Sequence, residues 1–80
     1  MNNAQSDQIV PNQGPSVQAF DEAVRRAEAE FREMPGLKLT QAQAARLWSC
    51  DIQLADAVLF RLAESLFLVR TRSGSFCRAS

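Results

Sequence analysis

The sequence lacks several residue types on which enzyme and metal chemistry depends. Its 80 residues contain no histidine, no tyrosine, one lysine, two cysteines and three glycines. Without histidine or tyrosine we find no nucleophile–base pair, and three scattered glycines make no phosphate-binding loop. A structural zinc site needs four ligands, and two distant cysteines do not match its spacing. The composition therefore argues against an enzyme and predicts no metal and no cofactor.

Long hydrophobic runs are also missing. No segment approaches the roughly 18 apolar residues of a membrane span, and the amino terminus is polar, without the apolar core of a secretion signal. We therefore expect a cytoplasmic protein that does not bind a membrane. No small-molecule substrate is evident from the sequence. Cys50 and Cys77 are then expected to be reduced and to pack as small hydrophobic residues; a disulfide between them is the alternative.

The composition divides the chain into a tail and one domain. Residues 1–16 are rich in Asn, Gln, Ser, Pro and Gly, which predicts a disordered tail before a domain at residues 17–80. Charge is divided as well: residues 1–36 carry three basic and six acidic side chains, and residues 37–80 carry six basic and three acidic ones. The basic excess in the second half favours a surface that faces a polyanion.

Residues 17–34 are predicted to form the first helix, with Ser16 as its cap and Pro35-Gly36 as its end. Glutamate and arginine occupy the opposite face, where Glu22–Arg26 and Glu28–Arg32 are spaced for ion pairs. The apolar stripe either packs on the rest of the domain or pairs with a second copy, giving a homodimer through residues 17–34. The stripe consists of Val17, Phe20, Val24, Ala27, Phe31 and Met34.

A helix-turn-helix pattern follows. Thr40 and Gln43 have the spacing of a capping box for a helix over Gln41 to Trp48, and Trp48 is expected to anchor the core rather than to stack on a ligand. Asp51 is the expected cap of the third helix. The core positions predicted on that helix are Ala55, Val58, Leu59 and Leu62.

The last segment predicts a β-hairpin over residues 67–78 with a turn at Ser73-Gly74. Successive side chains of a strand point to opposite faces of the sheet. If the strand begins at Phe67, then Phe67 and Val69 face the core, and Leu68 lies on the same side as Arg70 and Arg72. The whole order predicts a mainly α fold with a small hairpin: a winged helix-turn-helix with three helices and a wing.

These motifs together resemble a bacterial winged helix-turn-helix domain. They are Leu39-Thr40-x-x-Gln43-Ala44-x-Arg46-Leu47, Leu59-x-x-Leu62, Phe67-Leu68-Val69-Arg70-Thr71 and Gly74-x-Phe76-x-Arg78. In overall pattern the motifs are most similar to those of DNA-binding domains of the isocitrate-lyase-regulator type. They are more loosely similar to those of multiple-antibiotic-resistance-type repressors. The resemblance covers about residues 39–78. It implies that residues 53–64 are the recognition helix, and that Arg70, Arg72 and Ser73 form the wing.

The resemblance implies a transcriptional regulator that binds double-stranded DNA. Gln53, Ala57 and Arg61 would face the major groove, and Arg70, Arg72 and Ser73 would make wing contacts. Phosphate contacts are expected from the second helix and its cap, at Thr40, Gln41, Gln43 and Arg46.

The third helix also supports a different prediction. Leu54, Asp56 and Phe60 would give it an apolar and acidic surface, which suits a protein partner better than phosphates. The alternative function is therefore a protein–protein interaction or assembly module on the same fold.

Leu66 departs from the resemblance. Such domains commonly have a glycine at this position, where it ends the recognition helix in a left-handed conformation. A leucine predicts that the helix ends differently, or that Leu66 is buried in an additional contact.

Overall fold

The computed structural model describes residues 17–79. They form three helices and three short strands in the order α1, β1, α2, α3, β2, β3, which is the layout of a winged helix-turn-helix. The bounds are α1 Val17–Glu33, β1 Lys38–Leu39, α2 Gln41–Leu47, α3 Ile52–Glu64, β2 Leu68–Arg70 and β3 Phe76–Arg78. The predicted tail, the Ser16 cap and Ser80 lie outside the described residues.

Helix α1 packs on α3 through the middle of its apolar stripe. Ala27 and Phe31 are buried, Phe20 and Val24 pack partly against the core, and Val17 is 79% exposed. The predicted Glu28–Arg32 ion pair is present at 3.0 Å, and the predicted Glu22–Arg26 pair does not form within the described chain. Inward packing is therefore confirmed for the middle of the stripe, from Phe20 to Phe31, whereas its two ends, Val17 and Met34, are exposed.

Helix α3 is the centre of the core because its four predicted core positions are all buried. It contacts α1, α2 and β2, and burial of large side chains such as Phe31, Phe76 and Leu59 contributes about 1.5–3 kcal/mol each. The ten buried residues are Ala27, Phe31, Leu39, Ala44, Ala55, Val58, Leu59, Leu62, Leu68 and Phe76. Trp48 packs against the edge of this core and is only half-buried.

The hairpin belongs to a three-stranded antiparallel sheet in the order β1-β3-β2. Leu39 pairs with Phe76, and Phe76 pairs with Arg70. Strand β2 begins at Leu68, whose side chain is 1% exposed, whereas Val69 is 45% exposed. The predicted phase was therefore wrong: Leu68 faces the core and Val69 faces outward. A shift of one residue reverses every side chain of a strand.

Both turns after α2 and α3 end their helices in the same way. Leu66 has φ +66° and donates its N–H to Ala63, while Phe67 donates to Leu62. These two bonds are the Schellman arrangement that usually places glycine at the left-handed position. The expectation for Leu66 was wrong on both counts, because α3 ends in the left-handed conformation and Leu66 is 79% exposed. Ser49, φ +53°, occupies the equivalent position after α2.

Candidate nucleic-acid interface

The amino-terminal end of α2 is held by the predicted capping box. The Gln43 N–H donates to Thr40 Oγ1 at 3.1 Å, and the Thr40 N–H donates to Gln43 Oε1 at 3.0 Å. Two N–H groups that the helix leaves unpaired are thereby satisfied. The Thr40 hydroxyl hydrogen and the Gln43 amide nitrogen remain as donors. Arg46, one turn further along, is exposed.

The exposed side of α3, here called the outer face, consists of Gln53, Ala57, Phe60 and Glu64. Successive helical residues turn by about 100°, so these four side chains leave the helix within about 60° of one another. All four residues are exposed, and Phe60 is exposed by 53%. Arg61 is also exposed, but it lies about 80° around the helix from Gln53.

The predicted partner surface on α3 is divided by the structure. Leu54 is half-buried, packs against the core and lines a groove with α1, so it does not share a surface with Phe60. The reason is helical geometry, because six residues correspond to about 240° of rotation. Asp56 is half-buried and accepts a hydrogen bond from Gln41 Nε2 at 3.1 Å. Of the three predicted residues, Phe60 alone is exposed.

The Gln41–Asp56 bond gives Gln41 a structural role that was not predicted. It joins the start of α2 to the first turns of α3 beside a shallow groove, and it uses one of the two N–H donors of the Gln41 amide. Gln41 therefore positions one helix on the other in this structure. The residues that line this groove are Thr40, Gln41, Ala42, Ile52, Gln53 and Asp56.

The wing, residues 70–75, consists of the last residue of β2 and a short, well-bonded loop. The Thr71 N–H donates to the Ser75 carbonyl at 2.7 Å, and the Gly74 N–H donates to the Thr71 carbonyl at 3.0 Å. Gly74 has φ +89°, which a side chain disfavours. Arg72 and Ser73 are exposed within the loop. The predicted turn residues thus form the end of the hairpin and present Arg72 to solvent.

Arginine side chains on α1 and on the sheet pack on aromatic rings, a feature that sequence reasoning missed. The Arg70 guanidinium lies 5.6 Å from the Phe76 ring centroid. Arg32 and Arg78 lie 5.4 and 4.6 Å from the ring of Phe67. Arg70 remains exposed, whereas Arg78 is half-buried and its Nε has no hydrogen-bond partner within residues 17–79. Arg70 is thus the more accessible cation.

A groove of about 300 Å³ between α1 and the α2–α3 turn was also not predicted. Trp48 Nε1 donates to Glu30 Oε1 across it at 2.7 Å. Cys50 lines the same groove, and both Cys50 and Cys77 are free. Burial and the neighbouring Asp51 carboxylate raise the pKa of the Cys50 thiol, against a lowering contribution from the backbone of Ala55. Glu30 and Trp48 are 18 residues apart in the sequence, so no local sequence pattern indicates their hydrogen bond.

Comparison with known proteins adds no family to this description. The chain matches no protein-family model, no curated protein and no solved structure. None of the helices within residues 17–79 has both the length and the apolar character needed to cross a membrane. The winged-helix layout, the outer face of α3 and the wing are therefore the features from which a function is argued.

Proposed function

We propose that this protein is a small cytoplasmic transcription regulator that binds double-stranded DNA with α3 and the wing. The outer face of α3, together with Arg61, would enter the major groove, as recognition helices do in helix-turn-helix proteins. Thr40, Gln43 and Arg46 would contact phosphates beside it. Arg70, Arg72 and Ser73 would bind the backbone or the adjacent minor groove.

One observation supports this proposal most strongly: the exposed arginines of the second half of the chain are not paired with carboxylates. Within residues 17–79 the single ion pair is Glu28–Arg32 on α1. Arg46, Arg61, Arg70 and Arg72 are exposed and make no such pair. Unpaired guanidinium groups are well suited to phosphate oxygens because they offer two parallel N–H donors.

The nearby carboxylates are partly engaged in the fold. Asp51 accepts the Gln53 N–H at 2.9 Å as the cap of α3, and Asp56 accepts from Gln41. These hydrogen bonds direct one oxygen of each carboxylate towards the protein.

The proposal is tested by measuring fluorescence anisotropy of a labelled random duplex at several salt concentrations. We expect binding that weakens steeply with salt, because phosphate contacts release counterions. In Arg70→Ala/Arg72→Ala, each lost phosphate contact should lower the slope of log K against log salt by about 0.9. Arg25→Ala/Arg26→Ala removes the same charge from exposed positions on α1 and serves as the matched control.

Three outcomes decide the assignment. A smaller salt slope in the wing variant, with the α1 variant closer to wild type, supports the DNA-binding role of the wing. Equal slopes in wild type and both variants would remove Arg70 and Arg72 from the interface. No binding at low salt would contradict the DNA-binding function itself.

A protein-interaction module is the second candidate function. Its support is apolar exposure: Phe60 is 53% exposed on α3, and Leu66 is 79% exposed just after it. Aromatic residues such as phenylalanine are enriched at protein interfaces. Phe60→Glu should then dissociate a complex isolated with the wild-type chain while the circular dichroism spectrum stays unchanged. An intact complex in that variant would place the interface elsewhere.

A homodimer through α1 remains a prediction. The exposed ends of the stripe, Val17 and Met34, are the parts left for a second copy, because Ala27 and Phe31 pack inward. Sedimentation of wild type and Val17→Glu across a concentration series tests it. A wild-type dimer that the substitution weakens would support pairing through α1, and a wild-type monomer at every concentration would contradict it.

A further inference from the structure

The outer face of α3 presents an unusual set of groups for a helix proposed to meet DNA. Gln53 carries a side-chain amide with no hydrogen-bond partner within residues 17–79. Ala57 and Phe60 follow it on the same exposed face, and both are apolar. No lysine or arginine lies between them on this face. The arginine and lysine side chains that commonly read guanine are therefore absent from its centre.

These groups match the major-groove edges of A·T pairs. A glutamine amide can pair with N6 and N7 of adenine, and apolar side chains pack on the thymine methyl group. From Gln53 to Phe60 the helix rises about 10 Å, which corresponds to roughly three base pairs at 3.4 Å each. We infer that α3 reads a short A·T-rich subsite, with Gln53 on adenine and with Ala57 and Phe60 against thymine methyl groups.

The polar neighbours of this face are placed for other roles. Asp56, a potential acceptor for cytosine N4, already accepts from Gln41 on the α2 side. Arg61 lies on the opposite flank of the outer face from Asp56, about 80° around the helix from Gln53 and about 40° from Ala57. Glu64 belongs to the outer face but lies on the last turn of α3, one turn beyond Phe60. Between Gln53 and Phe60 the outer face therefore carries no arginine, lysine or carboxylate.

This inference rests on the proposed DNA-binding function, and A·T preference alone would not establish it. Arginines of a wing also favour A·T sequences, because the minor groove is narrower there. A test must therefore separate the two grooves. A duplex of alternating inosine and cytosine does so, since inosine presents the major-groove edge of guanine and lacks its minor-groove amino group.

The experiment compares three labelled duplexes of equal length, alternating dA-dT, dG-dC and dI-dC, by anisotropy at low salt. Major-groove reading by α3 predicts that dA-dT binds about tenfold more tightly than dG-dC, and that dI-dC binds as weakly as dG-dC. Binding of dI-dC as tight as that of dA-dT would assign the preference to the minor groove and overturn the inference. Equal affinity for all three duplexes, with binding that still weakens with salt, would overturn base reading while leaving the DNA-binding function intact.

Variants test the assigned contacts one at a time. Wild type should bind a duplex with uracil in place of thymine several-fold more weakly, because only the methyl group is lost. Phe60→Ala should narrow that difference, whereas Gln53→Ala should lower the preference for dA-dT over dG-dC and keep the uracil effect. Both side chains are exposed, so the fold is expected to persist. An unchanged uracil effect in Phe60→Ala would overturn the role of Phe60, and no binding to any duplex would overturn the proposed function as well.

Discussion

The conformation of Leu66 gives a quantitative prediction about stability. A residue with a Cβ atom pays about 1–2 kcal/mol in the left-handed conformation, and Leu66 adopts it with φ +66°. Glycine removes that cost but loses about 0.5–1 kcal/mol through the greater freedom of the unfolded chain. Because Leu66 is 79% exposed, little apolar burial is lost. Leu66→Gly should therefore raise the free energy of unfolding by roughly 0.5–1 kcal/mol.

The measurement is urea denaturation followed by far-ultraviolet circular dichroism, with a thermal scan beside it. In a domain of this size 1 kcal/mol corresponds to about 4–8 °C in Tm. Leu66→Ala keeps the Cβ atom and should gain nothing from relief of strain. Ala57→Gly, at an exposed position in the middle of α3, should lose about 1 kcal/mol. The free energy of unfolding should thus be higher with glycine than with alanine at position 66, and lower with glycine than with alanine at position 57.

One result would refute this reasoning. Suppose that Leu66→Gly unfolds more easily than Leu66→Ala, by as much as Ala57→Gly unfolds more easily than wild type. The left-handed backbone at position 66 then carries no cost that glycine relieves. Stabilisation by Leu66→Gly would show that the leucine at this position lowers the stability of the domain. Strained residues of this kind cluster at functional sites, which would point to a contact between Leu66 and a partner.

Three further predictions concern the cap, the tryptophan bond and the thiol. Thr40→Ala should lower the free energy of unfolding by about 1 kcal/mol in urea denaturation, and Thr40→Ser should retain most of it; equal losses would deny the cap. Trp48→Phe removes the bond to Glu30 and should cost about 1–2 kcal/mol because its acceptor is charged; no change in the urea midpoint would contradict it. The thiolate is the form of cysteine that reacts with alkylating reagents, and the pKa of Cys50 is raised in the folded protein. Alkylation of Cys50, followed by mass spectrometry, should therefore reach half its maximal rate at a higher pH in the folded protein than after denaturation. A lower pH in the folded protein would contradict this prediction.

Local sequence signals predicted the helices well because caps and periodicity act over a few residues. The structure contains the capping box of Thr40 and Gln43 where the motif indicated. It also contains the predicted Asp51 cap, whose side chain accepts the Gln53 N–H. The core face of α3 was also predicted, since a 3.6-residue period fixes the phase of a helix.

The sheet was harder to predict because its apolar run has no alternation. Phe67, Leu68 and Val69 are all apolar, so the sequence does not show which of them begins the strand. The Schellman turn decides it by using Phe67 in the cap of α3, and the strand begins at Leu68. The phase thus depends on backbone bonds to Leu62 and Ala63, and no pattern of hydropathy reveals these bonds.

The candidate site shows the same division. Exposure of Gln53, Ala57 and Arg61 followed from helical periodicity, whereas the Gln41–Asp56 bond joins two helices and depends on how they pack. Leu54 was assigned to the wrong surface because hydrophobicity alone did not show which flank faces α1.

An interface formed by α3 and the wing is tested most directly by an NMR titration of the ¹⁵N-labelled protein with a dA-dT duplex at low salt. We expect the changes in amide chemical shift to concentrate in residues 53–61 and in the wing, including Arg70, while the amides of residues 25–33 of α1 change little. Shifts confined to α1, or no shifts at excess duplex, would contradict an interface formed by α3 and the wing.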